Sequence, residues 1–103
     1  MLTRIHDALE STGLPVAYGF FREAQEPPFL VYLLSYSNNF DADDRVFHKR
    51  DRFNVELYVS RKSPDIELLV EDALDEAELV YDKNETFIRE EQLFQTIYTI
   101  YER

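Results

Sequence analysis

Across residues 45–77 the spacing of apolar side chains changes from every second residue to every third or fourth, which dictates a strand followed by a helix. Phe47, Phe53, Val55, Leu57 and Val59 share one parity, with His48, Arg50, Arg52, Asn54, Glu56 and Tyr58 on the other. A long strand is therefore expected from Arg45 to Ser60, and only its second half is apolar enough for a core. The first half, Arg45 to Arg52, is expected to project from the body as part of a hairpin arm around residues 37–52. Ser63-Pro64-Asp65 then reads as a helix start. Ser caps the first amide groups, Pro fits the first turn, and Asp suits the positive end of the helix dipole. Ile66, Leu69, Val70, Ala73, Leu74 and Ala77 mark one face of this helix, and Glu67, Glu71, Asp75 and Glu78 make the opposite face acidic. Like charges at that spacing cost an isolated helix roughly 0.2–0.5 kcal/mol per pair, less than packing the apolar stripe returns.

The rest of the chain adds a helix and four strands. Leu2, Ile5, Ala8 and Leu9 recur at helical spacing, and Gly13 with Pro15 stops the helix, so it should run from Leu2 to Thr12. Val16 to Phe21 and Phe29 to Ser37 read as strands separated by a polar loop ending in Pro27-Pro28. Leu30, Tyr32, Leu34 and Tyr36 fall on one face of the second strand, with Phe29, Val31 and Leu33 on the other. Such a strand is central in its sheet, or covered on one side by another subunit. Leu79 to Arg89, with a bend at Asp82-Lys83-Asn84, and Leu93 to Tyr101 complete the set around the turn Glu90-Glu91-Gln92. The order is α-β-β-β-α-β-β. Strands consecutive in sequence with short links pair antiparallel, so we expect one α+β domain over residues 1–103. It should hold a mainly antiparallel sheet of about five strands with two helices on one face.

Composition narrows what such a domain does. Without Cys there is no disulfide framework, thiolate nucleophile or thiolate metal site. Met1 to Asp7 lacks the apolar centre of a signal peptide. The longest apolar run, Phe29 to Leu34, is far short of the ~20 residues a spanning helix needs, so a soluble chain is expected. A net charge of −10 repels phosphate backbones and anionic membranes, and neither is expected as a partner. The charge is segregated, however. Arg45, Lys49, Arg50, Arg52, Arg61 and Lys62 cluster mid-chain, and the run from Asp65 through Glu78 is acidic without a basic residue. Either the two blocks pair within the domain or they are complementary faces that meet between copies.

No catalytic constellation stands out. His6 and His48 lack partners at metal-ligand spacing, and Asp41, Asp43 and Asp44 lack the turn Gly and bidentate Glu of a calcium loop. No Ser sits in a nucleophile-elbow pattern, and Gly13 and Gly19 cannot form a phosphate cradle. Aromatic residues near the basic cluster (Tyr32, Tyr36, Phe47, Tyr58) could stack on bases, but the net charge favours a packing role. We therefore expect no enzyme activity, no cofactor and no metal.

The series Leu14-Pro15-Val16-Ala17-Tyr18-Gly19, Pro28 to Tyr32, Tyr36-Ser37-Asn38-Asn39-Phe40 and Ala42-Asp43 carries a resemblance that covers most of the chain. It continues through Val46-Phe47, Lys49, Glu56-Leu57-Tyr58 and Leu93-Phe94-Gln95-Thr96-Ile97-Tyr98. The series resembles small proteins of tailed phages and prophages of Gram-positive bacteria that join head to tail, complete the tail or terminate it. The resemblance implies a structural protein of the virion, assembled in the bacterial cytoplasm as a ring of copies, a hexamer, between connector and major tail proteins. The residues expected at the subunit interface are Arg45, Lys49, Arg50 and Arg52 on the arm, facing Glu67, Glu71, Asp75 and Glu78 on the helix. A rival reading from another class is a small acidic inhibitor that mimics DNA towards a nucleic-acid enzyme. The internal basic cluster argues against it, since a mimic gains nothing from cations.

Overall fold

The computed structural model describes residues 1–35 and 52–101. All of the expected arm except Arg52 lies outside the described residues, Arg45, Lys49 and Arg50 included. In chain order the elements are α1 (Leu2–Glu10), β1 (Val16–Tyr18), β2 (Phe29–Ser35), β3 (Arg52–Val59), α2 (Pro64–Glu76), β4 (Tyr81–Ile88) and β5 (Leu93–Tyr101). This is the α+β arrangement and element order expected from the sequence.

The strands form one sheet in the order β1-β2-β3-β5-β4. Three of its pairings are antiparallel, but β1 and β2 are parallel, with Val16 opposite Leu30 and Tyr18 opposite Tyr32. The expectation that neighbours in sequence would pair antiparallel fails here for a geometric reason. A three-residue strand spans only ~10 Å. Residues 19–28 are ample to carry the chain back over that distance and start β2 at the same end. β1 is also shorter than expected, because Gly19 leaves the strand at φ 81° while its N–H still donates to the Tyr32 carbonyl at 2.9 Å.

Register sorts every strand residue to one of two faces. Leu30, Tyr32 and Leu34 lie opposite Leu57, Val55 and Phe53, which lie opposite Thr96, Tyr98 and Ile100. Ile5 and Leu9 of α1 and Val70 and Leu74 of α2 join most of these residues in one buried cluster. Both helices therefore cover this face. Each fully buried aliphatic side chain contributes about 1.5–3 kcal/mol relative to exposure, so this layer holds the domain together.

Capping fixes the helix limits. The Ser11 and Thr12 hydroxyls donate to the Ala8 and Leu9 carbonyls at 2.6 Å, ending α1 at Glu10, two residues before Thr12. Gly13, at φ 83°, then turns the chain away. Ser63 caps α2 as the sequence indicates, its hydroxyl accepting from the Ile66 N–H. The Arg4 guanidinium donates to the Ala77 carbonyl at 2.6 Å, placing a cation at the negative end of α2. β4 runs straight through Asp82-Lys83-Asn84, where a bend was expected.

Candidate functional site

The face that α2 turns to the sheet is largely the apolar one its spacing indicates, with Val70 and Leu74 fully buried and Ile66 and Ala77 packed against the core, but it is rotated about one position from that stripe. Leu69 is 42% exposed, beside Leu68 at 54%, whereas Glu67 is buried at 7%. The helix is rotated towards its acidic side because the sheet beneath it is polar there. Lys83 and Glu85 of β4 share the helix-covered face with Tyr98 and Thr96. The Lys83 ammonium lies 3.0 Å from Glu67 Oε1 and 2.7 Å from Glu71 Oε2. Lys62 bonds the other Glu67 oxygen and lies 2.7 Å from Glu85 Oε2. The Tyr98 hydroxyl donates to Glu71 Oε2 at 2.8 Å.

Two cations thus tie together three carboxylates from the helix and from the outer strand. Burial works against the charged Glu67 carboxylate, but hydrogen bonds from Lys62 and Lys83 outweigh it and hold its pKa below the ordinary value. The bond to Glu67, then that to Glu85, raises Lys62; the bond to Glu71 chiefly raises Lys83. Burial, reinforced by Glu71, raises the Tyr98 hydroxyl well above its usual range. The arrangement neutralises charge and fixes α2 on β4 and β5.

These contacts revise the role expected of Glu67 and Glu71, whose carboxylates are engaged inside the domain by Lys62 and Lys83. Asp75 and Glu78 are exposed and make no ion pair among the described residues. Arg52 opens β3 on the face away from the helices, its guanidinium 5.7 Å from the centre of the Tyr101 ring. The sheet therefore separates Arg52 from the acidic helix of its own copy. The sequence alternatives divide accordingly: Lys62 pairs within the domain, and Arg52 does not pair with α2. Lys83 and Glu85, which sequence reasoning missed, sit in an almost wholly polar strand where alternation gives no inward-facing signal.

No described element packs on the second face of the sheet. Successive rows across its middle strands read Phe29-Tyr58-Gln95, Val31-Glu56-Ile97, Leu33-Asn54-Thr99 and Ser35-Arg52-Tyr101. Phe21 meets Phe29 edge-on and Phe29 stacks on Tyr58 with ring centres 4.9 Å apart. The Tyr58 hydroxyl donates to Glu56 Oε1 and accepts from Gln95 Nε2, both at 2.8 Å. Burial and the Glu56 carboxylate push Tyr58 up to about 12. At the outer edge, Asp82, Asn84 and Thr86 of β4 are exposed. The face is mixed: Phe29, Val31 and Leu33 line it on β2, whereas β3 presents Arg52, Asn54, Glu56 and Tyr58 along the middle of the sheet.

Among the described residues no group of three His, Asp or Glu side chains could hold a metal ion, and no helix is long and apolar enough to cross a membrane. His48 and the Asp41, Asp43 and Asp44 cluster lie outside the described residues. His6 is half-buried, with Nδ1 2.9 Å from the Tyr32 hydroxyl and Nε2 3.5 Å from Glu10. No protein-family model matches the chain, and no curated protein matches it.

Proposed function

We propose that the chain is a non-enzymatic structural subunit of a tailed phage. In this reading it joins head to tail or terminates the tail tube by closing into a ring of copies, a hexamer. What supports the reading is the separation of charge by the sheet. Arg52 stands on the helix-free face, and Asp75 and Glu78 stand exposed at the far end of α2. Opposite charges on opposite faces cannot satisfy each other within one copy and are available to neighbours. A contact between two different surfaces of identical subunits closes into a ring when its rotation divides the circle. Arg45, Lys49 and Arg50 belong to the cationic side of this contact by their position in sequence. The acidic side rests on Asp75 and Glu78, since Glu67 and Glu71 are already paired. The partners at the two ends of the ring are the connector and the major tail protein, and the finished ring is part of the virion.

The test is genetic and visual. Disrupting the gene in its phage should yield separate heads and tails, or tails of uncontrolled length, by electron microscopy, with normal particles restored by complementation. Intact infectious particles without the protein would overturn the proposal. Capture of a nuclease or polymerase in that setting would favour the DNA-mimic reading instead.

A further inference from the structure

We propose that the helix-free face of the sheet is an isologous interface on which two copies of this chain pack face to face in solution before ring closure, since both contacts draw on Arg52. The pattern of the face is self-complementary along β3. Arg52 and Glu56 point to the same face four residues apart, with Asn54 midway. At about 3.3 Å per residue their positions are ~13 Å apart, too far for them to pair within one strand. Glu56 makes no ion pair among the described residues and accepts only the Tyr58 hydroxyl.

A two-fold axis crossing β3 at Asn54 in the plane between two such sheets resolves this. It sets Arg52 of each copy over Glu56 of the other, giving two identical ion pairs. It also sets Leu33, in the Asn54 row, against its own counterpart. Ile97 flanks Glu56 on β5 and supplies half-buried apolar surface beside the pair, while Val31, on the β2 side, is already buried within the copy. The exposed β4 residues Asp82, Asn84 and Thr86 remain at the wet margin. A two-fold axis running along β3 would instead bring Glu56 onto Glu56, which repels.

Extent sets the strength. Five strands at ~4.8 Å spacing and about eight residues of length give a face of roughly 20 by 25 Å. Burying it twice comes to about 1,000 Å², the low end for specific association, so the dimer is a weak one with a Kd in the ~micromolar range.

Sedimentation equilibrium of the full chain tests this, with thermal melting of every variant as a fold control. Wild type should pass from monomer to dimer across the micromolar range. Arg52→Glu creates two like-charge contacts per dimer and should weaken association by roughly 100-fold. Glu56→Arg should do the same, and the double reversal R52E/E56R should return to within about threefold of wild type. Leu33→Lys, which leaves both charges in place, should also abolish the dimer. If Glu56→Arg unfolds the chain by losing the Tyr58 bond, Glu56→Gln keeps an acceptor and should weaken the dimer at least tenfold. A wild-type monomer at every concentration would overturn the interface, and so would a dimer indifferent to Arg52→Glu and Leu33→Lys. Failure here leaves the ring untouched, because the ring is judged on particle morphology.

Discussion

Removing Lys83 is the sharpest probe of how α2 is held. In Lys83→Met the alkyl stem stays in place of the Lys stem, while the ammonium that joins Glu67 to Glu71 disappears. Stripping one partner from a fully buried ion pair costs about 3–5 kcal/mol, because the remaining charge is left unpaired in low dielectric. Two features reduce that figure. Glu67 keeps Lys62, and the Lys83 side chain is 38% exposed, so water screens part of the interaction. The expected loss is therefore about 1–2 kcal/mol, or roughly 5–10 °C in Tm for a domain of this size. Urea denaturation of wild type, Lys83→Met, Glu67→Gln and the double variant gives the coupling directly. The double variant should be more stable than the two single losses add up to, by at least about 0.5 kcal/mol. A loss below ~0.3 kcal/mol for Lys83→Met, or strictly additive losses, would refute the view that this network rather than apolar packing sets the helix rotation.

The same network predicts an acid limb. Since the folded-state pKa of Glu67 lies below its ordinary 4.5, its contribution is present above that value and is lost as pH falls through the folded pKa. The Tm gap between wild type and Glu67→Gln should therefore narrow below about pH 4.5, as thermal melts would show. At alkaline pH the raised Lys62 and Lys83 lose their contribution as pH climbs through their folded values above 10.5, so Lys83→Met should flatten that limb. In the core, Leu57→Ala removes a fully buried side chain between β2 and β5 and should cost about 2–5 kcal/mol by denaturant titration. Gly13→Ala meets no neighbouring atom, yet its φ of 83° should cost about 1 kcal/mol through backbone strain alone.

Much of this fold is legible in local pattern. The alternation of Phe53, Val55, Leu57 and Val59 fixes β3, and Ser63-Pro64 fixes the start of α2. β5 occupies Leu93 to Tyr101 as expected, since each of these signals is local and chemically specific. Two features escape such reading. The β1–β2 pairing is parallel because a chain of residues 19–28 permits either direction. The rotation of α2 follows from Lys83, 16 residues after Glu67, in a strand whose run Asp82-Lys83-Asn84-Glu85-Thr86 shows no apolar side. The candidate interface is half legible. The basic and acidic blocks are plain in the chain, but only the sheet between them reveals that Arg52 cannot serve the acidic helix of its own copy. Val31 and Leu33 betray a second apolar face in the sequence, whereas the Arg52–Glu56 symmetry about Asn54 has meaning only once the face is seen without a helix.

Association between copies is the claim on which the account turns, and native mass spectrometry over rising concentration measures it most directly. Discrete species at integer multiples of the 12.3 kDa chain are predicted, a dimer at low occupancy and a closed ring of fixed number at assembly concentrations. A single 12.3 kDa species throughout, or an unbroken ladder of sizes without a preferred closed state, would contradict it.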